Sequence, residues 1–159
     1  MRIEPYDESQ REAIVQLSLR AWAPVFAGME QAMLPAVFRA FYKGDWRGAQ
    51  RCAVEAACSD ESLRLWVALE ASALAGFAAL RVHAEDSMGE VTMIAVEPGF
   101  QRRGIARRLI DHALAEFERA GLAIALIETG GDPGHAPARH TYEATGFTLL
   151  PVARYFKAL

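Results

Sequence analysis

Four arginines crowd the start of one helix: Arg102, Arg103, Arg107 and Arg108 all fall in the stretch VEPGFQRRGIARRLI, residues 96–110. Cations in a first helical turn oppose the helix macrodipole, so in isolation the arrangement is unfavourable. An anion among them reverses the sign. First-turn N–H groups lack intrahelical partners, the dipole is positive there, and each charge-assisted hydrogen bond contributes roughly 1.5–3 kcal/mol. Gly104 lets a ligand approach the backbone closely, and Ala106 keeps the next turn slim. Most charge runs are solvated helix faces. This one joins an apolar strand end to a helix, which is the mechanical setting of a phosphate-binding turn. The other reactive side chains read more plainly. His83, His112 and His140 do not fall with carboxylates at metal-ligand spacing, and Cys52 and Cys58 have neither knuckle spacing nor a neighbouring histidine motif, so neither a metal nor a cysteine nucleophile is expected.

Composition narrows the partners. The 159 residues are 52% hydrophobic with a net charge of -3, which suits one domain, 1–159, with a substantial core. A mildly acidic chain with one local basic cluster points to a small anionic ligand and away from a general nucleic-acid surface, which carries a basic surplus. No apolar run approaches the roughly 20 residues that cross a bilayer, and MRIEPYDESQ carries acids where a secretory signal needs an apolar stretch. The expected location is the cytoplasm, with no membrane partner and both thiols free.

The elements that must position the arginines follow from periodicity and punctuation. Ile3 to Tyr6 reads as a first strand. Asp7 with Gln10 makes a capping box for an amphipathic helix whose apolar residues Ile14, Leu17 and Ala21 run up to Trp22. Pro24, Gly28 and Pro35 then punctuate the chain before short helices at 36–42 and 46–57. LRLWVALE, ALAGFAALRV and GEVTMIAV read as an antiparallel meander. A helix from Gly104 to Ala120 stops at Gly121, LAIALIE (122–128) is a buried strand, and TGGDPGHA leads into a helix that opens at Pro137 and ends at Gly146. FTLLP and ARYFKA close the chain as a pair of strands. The expected fold is α/β, a mixed central sheet of about six to seven strands flanked by helices. Within it, the strand ending at Val96, the helix after it and the strand from Leu122 form a right-handed βαβ unit.

The string Gln101-Arg102-Arg103-Gly104-Ile105-Ala106 resembles the acetyl-CoA pyrophosphate motif of the GNAT superfamily of N-acetyltransferases. The downstream ARHTYEATGF, residues 138–147, resembles that superfamily's second motif, a helix with a tyrosine followed by Gly-Phe. The resemblance covers roughly residues 88–150, with the expected strand between the motifs. It implies acetyl-CoA as cosubstrate. Ile94, Ala95 and Val96 would pair through their backbone with the pantetheine arm, and the segment Arg102, Arg103, Gly104, Ile105, Ala106 and Arg107 would hold the pyrophosphate. His135 occupies the approximate place of a family asparagine on the coenzyme side.

Acetyl transfer to an amine needs a neutral nucleophile, a polarised thioester carbonyl and protection of the departing thiolate. The resemblance assigns the last task to Tyr142. Glu128, at the end of a buried strand, is the candidate base, with Glu97 and Glu90 behind it. A carboxylate near 4.3 is poorly matched to an ammonium near 10.4, a gap of roughly six units, and less badly to an α-amine near 7.8. A water relay or a raised pKa closes the gap. In the resembled fold the turn after the first helix overhangs the acceptor, which makes Trp22 and Phe26 its expected lining; residues 45–58 offer a further wall or a contact between two copies in a homodimer. The implied reaction is acetylation of a primary amine on a small molecule or a peptide amino terminus. The competing expectation is a catalytically silent acyl-CoA binding or sensing module that keeps the fold.

Overall fold

A computed structural model describes residues 1–157 and 159. Five strands form one sheet in the order β1-β2-β3-β4-β5: β1 (Arg2–Pro5), β2 (Leu63–Glu70), β3 (Ala73–His83), β4 (Met88–Val96) and β5 (Ile124–Ile127). The first four pair antiparallel and β4 pairs parallel with β5. The helices are α1 (Arg11–Ala32), α2 (Pro35–Tyr42), α3 (Trp46–Ser59), α4 (Ile105–Arg119) and α5 (Ala136–Ala144).

The two faces of the sheet carry separate apolar layers. On one, Ile105, Leu109, Ala113 and Phe117 of α4 bury against Ala78, Leu80, Val91 and Val96. On the other, Ile14, Val15 and Leu17 of α1 and Val54 of α3 bury against Val67, Phe77 and Ala95. Asp7 caps the entry to α1 as expected: its side chain accepts from Ser9 N–H, and Gln10 reaches back to the Asp7 N–H. Arg51 of α3 bonds both carboxylate oxygens of Glu12, at 2.9 and 3.0 Å, and so fastens α3 to α1.

Two expectations about the elements need correction. The first helix does not stop at Trp22 but runs 22 residues to Ala32 with Pro24 inside it. Proline removes one intrahelical bond, to the carbonyl of Arg20. The second half of the helix is held instead by packing, with Phe26 stacked on Trp46 at 4.5 Å and edge-on to Tyr42 at 5.1 Å. The sheet also has five strands, not six or seven. The described residues of FTLLP and ARYFKA form no strand; Leu150, Val152 and Tyr155 are exposed, and Phe156 packs edge-on against Phe41 at 5.6 Å. Alternating apolar residues signal a strand but supply no partner for it, and Pro151 lacks a donor for any ladder. Ala158, the last residue expected in that pair, lies outside the described residues.

One irregularity shapes β4. Ala79 pairs with Met93 whereas Leu80 pairs with Val91, so Thr92 is an extra residue, a bulge, and its hydroxyl donates to the Ala79 carbonyl at 3.1 Å. Pairing of β4 with β5 ends at Val91 and Ile127. Beyond that point β4 runs on to Val96 with no strand on its outer side among the described residues, while the chain after Ile127 leaves as the loop 128–135.

Candidate active site

The gap beside the free half of β4 is a cleft of about 770 Å³. Its floor is the unpaired edge of β4. Glu97 N–H donates to the Ala75 carbonyl at 2.9 Å, and Gly76 stands opposite Val96, so alternation turns the backbone groups of Ala95 toward β3 and those of Ile94 and Val96 outward. Gln101 donates to the outward Val96 carbonyl at 3.1 Å. That leaves the N–H groups of Ile94 and Val96 and the Ile94 carbonyl as a short strand edge facing the cleft. Of the three residues expected to pair with a coenzyme arm, Ile94 and Val96 thus turn backbone groups outward, while Ala95 lines the floor but is bonded inward.

The turn into α4 closes one end. Arg102 (φ 59°) and Gly104 (φ 79°) both adopt left-handed backbone, and Gly104 is the N-cap residue with no side chain supplying the first-turn donors. The first bond of the helix runs from Arg108 N–H to the Gly104 carbonyl at 3.0 Å, so the amides just before it point out of the helix start without helical partners. Arg102, Gly104, Ile105, Ala106 and Arg107 line the cleft. Arg103 does not; its guanidinium lies over the Phe100 ring at 5.3 Å.

The opposite wall comes from α1 and the loop before α5. Trp22, Pro24 and Val25 line the cleft, and Trp22 stands edge-on to Phe77 at 6.2 Å. Phe26, expected beside Trp22, does not reach it: it is 6% exposed between Tyr42 and Trp46. Residues 45–58 do not line the cleft either; α3 packs beside α1, with Val54 buried in the same apolar layer. The turn Pro133–His135 packs directly on α1, with Gly28 facing Gly134.

Of the groups expected to do chemistry, Glu128, His135 and Tyr142 all line this one cleft. Burial pushes the Tyr142 phenol up to about 12. Glu128 is exposed at the end of β5, and among the described lining residues it is the one carboxylate. The two acids expected behind it are engaged elsewhere, Glu97 with Arg20 at 2.7 Å and Glu90 with His83 at 2.7 Å. The sequence reading missed one partner, Asp132, whose carboxylate bonds Nδ1 of His135 and accepts Gly134 N–H at 2.9 Å. Burial raises its pKa, but the bond and charge of His135 outweigh that, and the carboxyl sits below its ordinary range. The Asp-Pro-Gly-His spacing was visible, but it reads first as a turn.

Comparison with known proteins finds that the model of the acetyltransferase (GNAT) family matches residues 31–147. The chain is 32% identical over 94 residues to the uncharacterized N-acetyltransferase YsnE of Bacillus subtilis (strain 168), covering 58% of this chain and 62% of that protein. It is 35% identical over 63 residues to the ribosomal protein bS18-alanine N-acetyltransferase of Escherichia coli (strain K12), covering 40% of this chain and 41% of the relative. These matches span less than two thirds of either relative. Among solved structures, AAC(6')-Iy in complex with the bisubstrate analog CoA-S-monomethyl-acetylneamine shares the fold, with a TM-score of 0.67 at 18% identity over 99% of this chain and 97% of that one.

Proposed function

The chain belongs to the acetyltransferase (GNAT) family, and from that premise we propose that it transfers an acetyl group from acetyl-CoA to a primary amine of a small molecule or a peptide amino terminus. The observation that carries this is the meeting, in one cleft, of an open strand edge at Ile94 and Val96 with a bare helix start at Gly104. An amide-containing arm needs the first and a pyrophosphate needs the second, so the residues present fit the coenzyme. Ile94 and Val96 would hold the arm. The amides from Gly104 to Arg107, with the side chains of Arg102 and Arg107, would hold the pyrophosphate, while Arg103 adds only long-range charge.

Acetyl-CoA supplies the activated acyl group; the rest is done by the chain. An outward N–H of β4 donates to the acyl oxygen, where negative charge develops. Tyr142 donates a hydrogen bond to the departing sulfur. A phenol at about 12 and a thiol near 8.5 differ by roughly 3.5 units, so complete proton transfer would cost about 5 kcal/mol and a strengthening hydrogen bond is the economical role. Glu128 draws the acceptor's ammonium into the cleft.

The relatives' names point to different acceptors, an alanine of ribosomal protein bS18 in one and a neamine analog in another. The walls here are Trp22, Pro24, Val25 and Met93, with Glu128 as the lone lining carboxylate among the described residues. That chemistry favours an acceptor with one cationic amine on a largely apolar body over a polycation, which would need several carboxylates. The test is a screen of monoamines, amino-terminal peptides, polyamines and aminoglycosides with acetyl-CoA, reading thiol release. The expected result is turnover concentrated among apolar monoamines or peptides. A folded, coenzyme-binding protein that releases no thiol with any class would show that it is not a transferase for amines and would favour the silent binding module.

A further inference from the structure

We infer that His135, held by Asp132, is the group that takes the proton from the acceptor's ammonium, a role that rests on the acetyl-transfer reading above. The pair is built into a fixed loop. Asp132 bonds Nδ1 of His135 with one oxygen and the Gly134 N–H with the other. Arg139 of α5 donates to the carbonyls of Gly130 and Asp132, the latter at 2.9 Å, and so ties the loop to the helix that carries Tyr142. The two side chains are only 17% and 14% exposed. Gly130 is required by this arrangement, because a Cβ there would stand 2.6 Å from His135 Nδ1 and overlap the Asp132 carboxylate.

The consequence is a defined tautomer. With the Nδ1 proton donated to Asp132, the lone pair of the imidazole resides on Nε2, in a side chain that lines the cleft. Glu128, by contrast, is exposed and makes no side-chain hydrogen bond among the described residues. The charged and titratable groups that line the cleft with His135 are Glu128, His140 and Tyr142 on its own side and Arg102 and Arg107 at the α4 end; α1, packed on its turn, contributes only Ala21, Trp22, Pro24 and Val25.

The step balances without another reagent. The ammonium gives one proton to Nε2, and the neutral nitrogen bonds to the acyl carbon as the carbon–sulfur bond breaks. The second nitrogen proton goes to the sulfur, and the imidazolium returns its proton to solvent. The products are the amide, the thiol and one released proton.

The experiment uses the whole chain with the best acceptor from the screen. Parent kcat/KM should rise with pH along an acidic limb that reports one essential base. His135→Gln should lower kcat by at least about 100-fold and abolish that limb, with acetyl-CoA affinity within about threefold of the parent. Asp132→Asn should lower kcat about 10- to 100-fold by releasing the tautomer, and Gly130→Ala, which displaces the pair, should follow it. Glu128→Gln should raise the amine KM yet keep the limb, and His140→Gln should keep it too. Independently of turnover, the His135 Cε1–H resonance, assigned by its loss in His135→Gln, should titrate at the midpoint of the limb. A limb that survives in His135→Gln, one that vanishes in Glu128→Gln, or a loss of coenzyme affinity equal to the loss of kcat/KM would overturn the assignment. A parent that acetylates no amine would instead bring down the acetyl-transfer reading, and the role of His135 with it.

Discussion

Replacing Gly104 separates the helix start's own stability from its use. At φ 79° and ψ 7° this residue sits in left-handed backbone, and a Cβ built on it meets no atom within 4 Å. A side chain therefore costs the protein backbone strain but no clash. For alanine that strain is roughly 1–2 kcal/mol, and in a domain of this size roughly 2–4 °C of Tm follows each kcal/mol. Asparagine tolerates the left-handed region far better, so Gly104→Asn should unfold within about a degree or two of the parent. Both variants place atoms in the space assigned to the pyrophosphate. If two of the exposed first-turn amides lose their phosphate contacts, at roughly 1.5–3 kcal/mol each, acetyl-CoA affinity should fall by about 150-fold or more. Calorimetric titration with acetyl-CoA, set beside thermal unfolding, measures both quantities. A Gly104→Asn protein that unfolds like the parent and binds acetyl-CoA within threefold of it would mean that the pyrophosphate lies elsewhere.

Other expected outcomes follow from the same cleft. Tyr142→Phe should lower kcat by roughly tenfold to a thousandfold with little change in acetyl-CoA affinity; an unchanged kcat in the folded variant removes the phenol from the mechanism. Trp22→Ala should raise the amine KM and spare the coenzyme, whereas Phe26→Ala, emptying a buried aromatic site, should cost about 3–5 kcal/mol of stability and leave both affinities intact in protein that remains folded. If the two variants behave alike, the assigned division between wall and core is wrong. Hydrogen bonds from Arg51 and then Gln16 hold the Glu12 carboxyl at about 2, down from 4.5. A depressed carboxyl stabilises above its unfolded value and loses that contribution as pH falls through its folded one. The Tm difference between the parent and Glu12→Gln should accordingly be present at neutral pH and vanish between about 4.5 and about 2; a difference that does not change with pH would assign it to something other than the ion pair.

The β4–α4 unit was legible because its signals are local: an apolar strand, a turn with glycine at the required left-handed position, and a helix with one apolar stripe. Tyr142 was legible from its motif alone. The length of α1 was not, since Pro24 and Gly28 are ordinary stop signals and only the packing of Phe26 against α2 and α3 overrides them. Trp22 and Phe26, four residues apart, look equivalent on a helical wheel, yet Tyr42 of α2 and Trp46 of α3 cover Phe26 and leave Trp22 at the cleft. The Asp132–His135 pair hid in a loop of glycines and a proline, where no periodicity shows which side chains meet. That the described residues at the carboxyl end form no strand marks the converse limit, because alternation states what a segment is fit for and leaves open whether a neighbour exists.

Thr92 sets the parity of the strand it interrupts. Below it, even-numbered residues of β4 turn their amides to β3 and odd ones to β5; above it, the odd residues turn to β3 and the even ones to open space. Were the count one shorter, Ile94 and Val96 would spend their N–H groups inside the sheet. Ala95 would likewise leave the layer it shares with Val67 and Phe77. The same sequence on either side would then offer different donors at the cleft. A single uncounted residue thus acts as a phase shift, and the chemistry available at that edge depends on the number of residues in the strand as much as on their identities.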